Sequence, residues 1–176
     1  MGQQVSPSGH NHLFESLRWT ADIVDLLTGS GKSLLLASII GEADLLEGYR
    51  HGPSPIPARE RYSPHINRSD WIMPSAMAYV AQIPWIENAT IRENVLFGLS
   101  FDKSRYEQVL ENCALSKDLE ILDDGDATDI GFNGINLSGG QKWRISFARA
   151  LYSRAGILVL DDIFRLCGTT CNVMPG

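Results

Sequence analysis

The chain has 176 residues, 44% of them hydrophobic and 20% charged, enough apolar material for one core or a core with a small satellite. A formal net charge of −6 speaks against a nucleic-acid partner, which would show as a basic excess. No apolar run reaches the roughly 18–20 residues that a bilayer requires, and the three cysteines, Cys113, Cys167 and Cys171, form no disulfide framework, so a reducing cytosolic setting is expected.

Residues 1–20 are polar and read as an irregular N-terminal tail. "MGQQVS" matches the loose pattern for acylation on Gly2, but no basic cluster stands near to supply a second membrane signal. From Ala21 the chain turns apolar and reaches "TGSGKSLLLASIIG", where Ser33–Ile40 is long enough and Leu/Ala-rich enough for a buried helix stopped by Gly41. Residues 50–70 hold four prolines and scattered charges, the composition of a surface loop or insertion. "SAMAYVA", Ser75–Ala81, predicts a short buried strand. "DKSRYEQVLENCAL" and "SKDLEILDDG" predict polar-faced helices of a peripheral layer, and Ser138–Ser153 a further helix. "GILVLDD" is a buried strand ending in two acids. The order of these elements makes an α/β fold with an inserted helical lobe.

"TGSGKS", Thr28–Ser33, followed by an apolar helix, has the make-up of a phosphate loop. Glycines let backbone N–H groups wrap a β-phosphate, and the helix N-terminus adds unpaired donors and the positive end of its dipole. Lys32 would reach the β- and γ-phosphates, and the Ser33 hydroxyl would ligate Mg²⁺. The full motif wants a glycine at position 26, where this chain has Leu26. A glycine-rich turn at a helix start, with no ligand for Lys32, is the plainer alternative. The two carboxylates Asp161 and Asp162 at a strand end are what Mg²⁺–nucleotide chemistry uses.

"NLSGGQKWR", Asn136–Arg144, sets two glycines at the start of a helix, where each costs about 1 kcal/mol relative to alanine. Ser138 as N-cap and Gln141 three residues on form a capping box. That explains the serine and the glutamine but not Gly139 and Gly140, which make sense if the first N–H groups of the helix meet something bulky and negative. Trp143, Phe147 and Leu151 fall on one helical face and are core candidates. Lys142, Arg144 and Arg149 point elsewhere, to solvent or to the lobe.

Taken in order, Gly-Ser-Gly-Lys-Ser, "YVAQIPWIENATIRENVLFG", "GINLSGGQKWRISFARAL" and "ILVLDD" resemble the ATP-binding cassette of ABC transporters. The likeness is nearest to the first nucleotide-binding domain of the multidrug-resistance-protein (C) subfamily, in a form familiar from fungi, and covers roughly residues 28–164. It implies a P-loop NTPase core of ABC type with an inserted α-helical subdomain, incomplete at both ends. On this reading the nucleotide-binding domain is 21–164, with the helical subdomain at about 83–138 and the proline-rich insertion at about 50–70, and 165–176 is a tail outside the family pattern.

The resemblance implies roles for single residues. Thr28, Gly29, Ser30, Gly31, Lys32 and Ser33 match the Walker A loop that holds ATP and Mg²⁺. Gln82 matches the Q-loop glutamine, which senses the γ-phosphate through Mg²⁺ and the attacking water. Pro84–Gly98 looks like the lobe surface near which membrane helices dock. Ser138, Gly139, Gly140 and Gln141 match the signature that caps ATP held by a second nucleotide-binding domain, and Asp161 matches the Walker B aspartate that orients towards Mg²⁺. The implied partners are ATP, that second domain and transmembrane domains, and the implied place is the cytosolic face of a membrane.

Asp162 stands where strongly hydrolytic cassettes carry a glutamate as general base. A carboxylate one methylene shorter sits about 1.5 Å further back, and misplacement on that scale costs roughly a hundredfold in rate. First domains of this subfamily often carry aspartate here, resembling a site that binds ATP and turns it over slowly. Beyond Phe164 the family's D-loop and switch histidine are not matched, since His10, His12, His51 and His65 all precede the signature. A truncated or mis-joined reading frame is therefore expected, with three functional outcomes: a transport ATPase module, a non-hydrolysing ATP-binding or regulatory fragment, or a product with no autonomous function.

Overall fold

The computed structural model describes residues 31–44, 46–47, 49, 71–131 and 136–161. The expectations for Thr28, Gly29, Ser30 and Asp162, for both tails and for the proline-rich stretch lie outside the described residues. The elements in chain order are α1 (Lys32–Ile40), β1 (Met73–Val80), α2 (Ile91–Leu96), α3 (Lys103–Asn112), α4 (Ser116–Glu120), a 3-10 turn (Gly125–Ala127), α5 (Gly139–Tyr152) and β2 (Ala155–Leu160).

β1 and β2 pair in parallel, with Met77 opposite Ile157 and Val80 opposite Leu160. Parallel neighbours need a crossover, and residues 81–154 with their helices supply it. Register slips between Met73 and Met77, where Pro74 cannot donate to the ladder. Gly156 permits the close approach there, because a Cβ at this position would lie 2.7 Å from Pro74 Cα. Beyond the last pair, the Asp161 N–H donates to Val80 O at 2.9 Å and fixes the backbone of the first acid at the strand end.

The core is built on α5. Trp143, Ile145, Phe147, Ala148 and Tyr152 are buried and pack with Val80, with Ile91 and Val95 of α2, and with Tyr106 and Val109 of α3. Leu151, expected on the same face, packs at the edge of this cluster. The last carbonyls of α5 have no helical donors, and Arg105 of α3 supplies them. Its guanidinium donates to Leu151 O (2.8 Å), Ser153 O (3.1 Å) and Tyr152 O (3.3 Å) and lies 5.0 Å from the Trp71 ring. Burial pulls its pKa down to about 10.

The expectation of a buried helix over Ser33–Ile40 is corrected. The helix forms and ends at Gly41, but none of its residues is buried, and Leu34 is 67% exposed. The physical reason is width. Among the described residues the sheet has two strands and spans about 10 Å, no more than one helix diameter, while the apolar residues of KSLLLASII are spread around α1. Such a sheet covers one face of it at most.

Candidate functional site

The two parallel strands end together, which sets the carboxyl-end crevice where α/β sheets take ligands. Gly31 caps α1 with φ +87°, a left-handed conformation suited to glycine, and Lys32 and Ser33 begin the helix. Gly31 brings no side-chain cap to this end, and no acid lies in the first turn. The positive end of its dipole therefore points to this end of the strands, where an anion is favoured.

Ser33 Oγ donates to Asp161 Oδ2 at 3.0 Å, a bond between residues 128 apart in the chain. It joins the start of α1 to the end of β2. A hydroxyl and a carboxylate side by side are hard oxygen donors, and Mg²⁺ is held by one or two such protein oxygens together with phosphates and water. The donor set therefore fits that ion. Tyr79, paired with Val159 in the ladder, faces the same carboxylate: burial first, then the charges of Asp161 and Glu42, push its phenol pKa up. Gln82 follows β1 by two residues and is exposed at this end of the sheet. Gly31, Lys32, Ser33, Gln82 and Asp161 thus share one end of the strand pair.

The residues Ser138, Gly139, Gly140 and Gln141 form the start of α5, a helix about 21 Å long. The capping box is present: Gln141 N–H donates to Ser138 Oγ (3.2 Å), and Ser138 N–H donates to Gln141 Oε1 (2.9 Å). A Cβ at Gly139 would meet nothing within 4 Å, and one at Gly140 would meet only Arg144 Nη1, at 3.4 Å. Both φ angles lie outside the left-handed range, so neither backbone shape nor packing within this chain requires these glycines. The missing side chains leave a surface of bare backbone.

Three features add partners that the sequence reading did not name. Helix α2 has its own capping box, Thr90 with Glu93, and the Thr-Ile-Arg-Glu spelling was the available signal. Arg149, expected among solvent or lobe contacts, ties α5 to the segment after Gln82. It donates to Asn94 O (2.8 Å), Asn94 Oδ1 (2.7 Å) and Trp85 O (3.0 Å) and lies 4.8 Å from the Phe97 ring. Asp118 of α4 accepts two bonds from Arg144, Nε at 2.7 Å and Nη2 at 2.9 Å. No local pattern marks that pairing, which joins residues 26 apart.

The family model described as ABC transporter matches residues 27–165. YBT1 of Candida glabrata, a pleiotropic ABC efflux transporter of multiple drugs, is 47% identical over 135 residues, 77% of this chain and 8% of that protein. ATP-binding cassette sub-family C member 3 of Homo sapiens is 47% identical over 134 residues, covering 76% of this chain and 7% of its own. ABC transporter 7 of Pyricularia oryzae is 49% identical over 135 residues, again 77% of this chain and 8% of that one. The chain spans less than a tenth of the length of these curated relatives. Its parallel strands and helices agree with the P-loop NTPase fold that the match implies. The chain belongs to the ABC transporter family.

Proposed function

We propose that this chain is the nucleotide-binding module of an ABC exporter, coupling ATP binding and hydrolysis to the outward movement of organic solutes. The observation that carries the reading is the 3.0 Å bond between Ser33 and Asp161, which sets a hydroxyl and a carboxylate side by side at the N-terminus of α1. Thr28, Gly29, Ser30, Gly31 and Lys32 hold the phosphates, and Ser33, Gln82 and Asp161 hold Mg²⁺. When bound, that ion neutralises phosphate charge. Gln82 and Asp162 orient and activate water. Ser138, Gly139, Gly140 and Gln141 face the nucleotide of a second nucleotide-binding domain, and the bare backbone of Gly139 and Gly140 lets an anion approach the helix start.

The helices between β1 and α5 form the inserted subdomain of residues 83–138. Ile83, Trp85 and Phe97 are exposed beside Arg149, and this apolar surface meets the transmembrane domains. No described helix is long and apolar enough to cross a membrane. The module works at the cytosolic face through partners that do cross. A second reading, ATP binding with slow or no turnover, is favoured by Asp162 in place of the longer glutamate.

The test is the affinity of the chain for a fluorescent ATP analogue, with and without Mg²⁺. Lys32→Ala should weaken binding in both conditions, and Asp161→Asn should remove the gain due to Mg²⁺, each by about tenfold or more. Binding by the wild type that both variants retain in full would refute the assignment.

A further inference from the structure

α4 and α5 meet at one carboxylate. Asp118 accepts from Arg144 through Nε and Nη2 and lies 3.5 Å from Gln141 Nε2. It therefore grips two successive rungs of the same α5 face, one turn apart. Both partners of the ion pair are largely shielded, with side-chain exposures of 18% for Asp118 and 29% for Arg144. Charge-assisted bidentate pairs of this kind hold geometry as well as energy. The guanidinium nitrogen that Asp118 leaves over, Nη1, is the atom a Cβ at Gly140 would meet at 3.4 Å. Gln141 in turn closes the capping box on Ser138. Through Arg144 and Gln141, one acid on α4 thus reaches both the guanidinium beside Gly140 and the side chain that closes the cap.

We propose that Asp118 is a positioning residue for the helix start Ser138–Gln141, holding Arg144 against Gly140 and Gln141 in its cap so that one fixed surface meets the second domain's nucleotide. A capping box alone sets the first turn of a helix relative to its own axis. Asp118 adds a reference outside the helix, because α4 is anchored by Leu115, which is buried at its N-cap, and by Leu119, which packs on the core. The inference rests on the reading of that helix start as nucleotide-facing.

The test uses the purified 176-residue chain as wild type, Asp118→Ala, Asp118→Glu and the control Arg92→Ala, which breaks the other bidentate pair of the lobe, to Asp126. Three quantities are read: affinity for the ATP analogue at the chain's own loop, MgATP-driven self-association by sedimentation, and amide exchange over the first turn of α5. Asp118→Ala should leave the loop affinity unchanged, weaken association about tenfold and speed exchange over the first turn but not at the far end of the helix. Asp118→Glu should recover much of both losses, and Arg92→Ala should cause neither. Unchanged association and exchange in Asp118→Ala, or equal losses in the control, would overturn the proposal. A wild type that neither binds nor associates would defeat the proposed function instead. The exchange readout would then decide the role of Asp118 alone: first-turn acceleration supports it, and no acceleration overturns it.

Discussion

Gly139 opens α5 onto empty space, and Gly140 meets only the end of one flexible side chain. Glycine inside a helix costs up to about 1 kcal/mol relative to alanine, so the pair is held against the interest of the fold. Gly139→Ala should therefore raise the stability of the isolated chain by about 0.5–1 kcal/mol, read as a higher denaturant midpoint at unchanged slope. The same variant should lose MgATP-driven association, since the added methyl occupies the open surface. A destabilised Gly139→Ala protein would show that the glycine serves the fold. This pair was legible from sequence because glycines in a helix break a local rule. Asp118 was not, because an aspartate in a polar helix breaks none, and its pairing with Arg144 exists only once α4 and α5 are packed.

Two helix ends are closed by different devices. α2 begins with a reciprocal cap, in which Thr90 N–H donates to Glu93 Oε2 at 2.9 Å and Glu93 N–H donates to Thr90 Oγ1 at 3.1 Å. Hydrogen bonds from the Thr90 backbone, then from its hydroxyl, lower the Glu93 pKa from 4.5. The carboxylate is thus preferred in the folded chain, and its contribution is present above the unfolded value and lost as pH falls through the folded one. The stability difference between wild type and Glu93→Ala should be full at pH 7 and shrink below about pH 4.5, measured by urea midpoints across that range. A difference that grows on acidification would contradict the sign. α5 ends on Arg105, whose removal deprives Leu151 O of its donor, while Trp71 Nε1 still serves Tyr152 O and Ser153 O. Arg105→Ala should cost about 2–4 kcal/mol in equilibrium unfolding, and a loss under 1 kcal/mol would mean that water replaces the guanidinium. The first cap is written in four consecutive residues. The second joins residues 46 to 48 apart and has no local signature.

At the scale of the whole chain, the proposed function gives the site two halves that serve different nucleotides. Gly31, Lys32 and Ser33 lie at the carboxyl ends of β1 and β2, and Ser138–Gln141 lie at the start of α5. The isolated chain should therefore release phosphate from MgATP at a rate near background, and the shorter Asp162 lowers it further. Robust turnover that Lys32→Ala abolishes would contradict this. The signature cap, the two described strands and the family were legible as short-range patterns, because each needs particular residue types at particular spacings. Packing set the bond from Ser33 to Asp161, the partners of Asp118, Arg105 and Arg149, and the exposure of Leu34 and Leu35. Those facts depend on parallel pairing across a crossover of more than seventy residues and on the width of the sheet, and no stretch of local sequence encodes either.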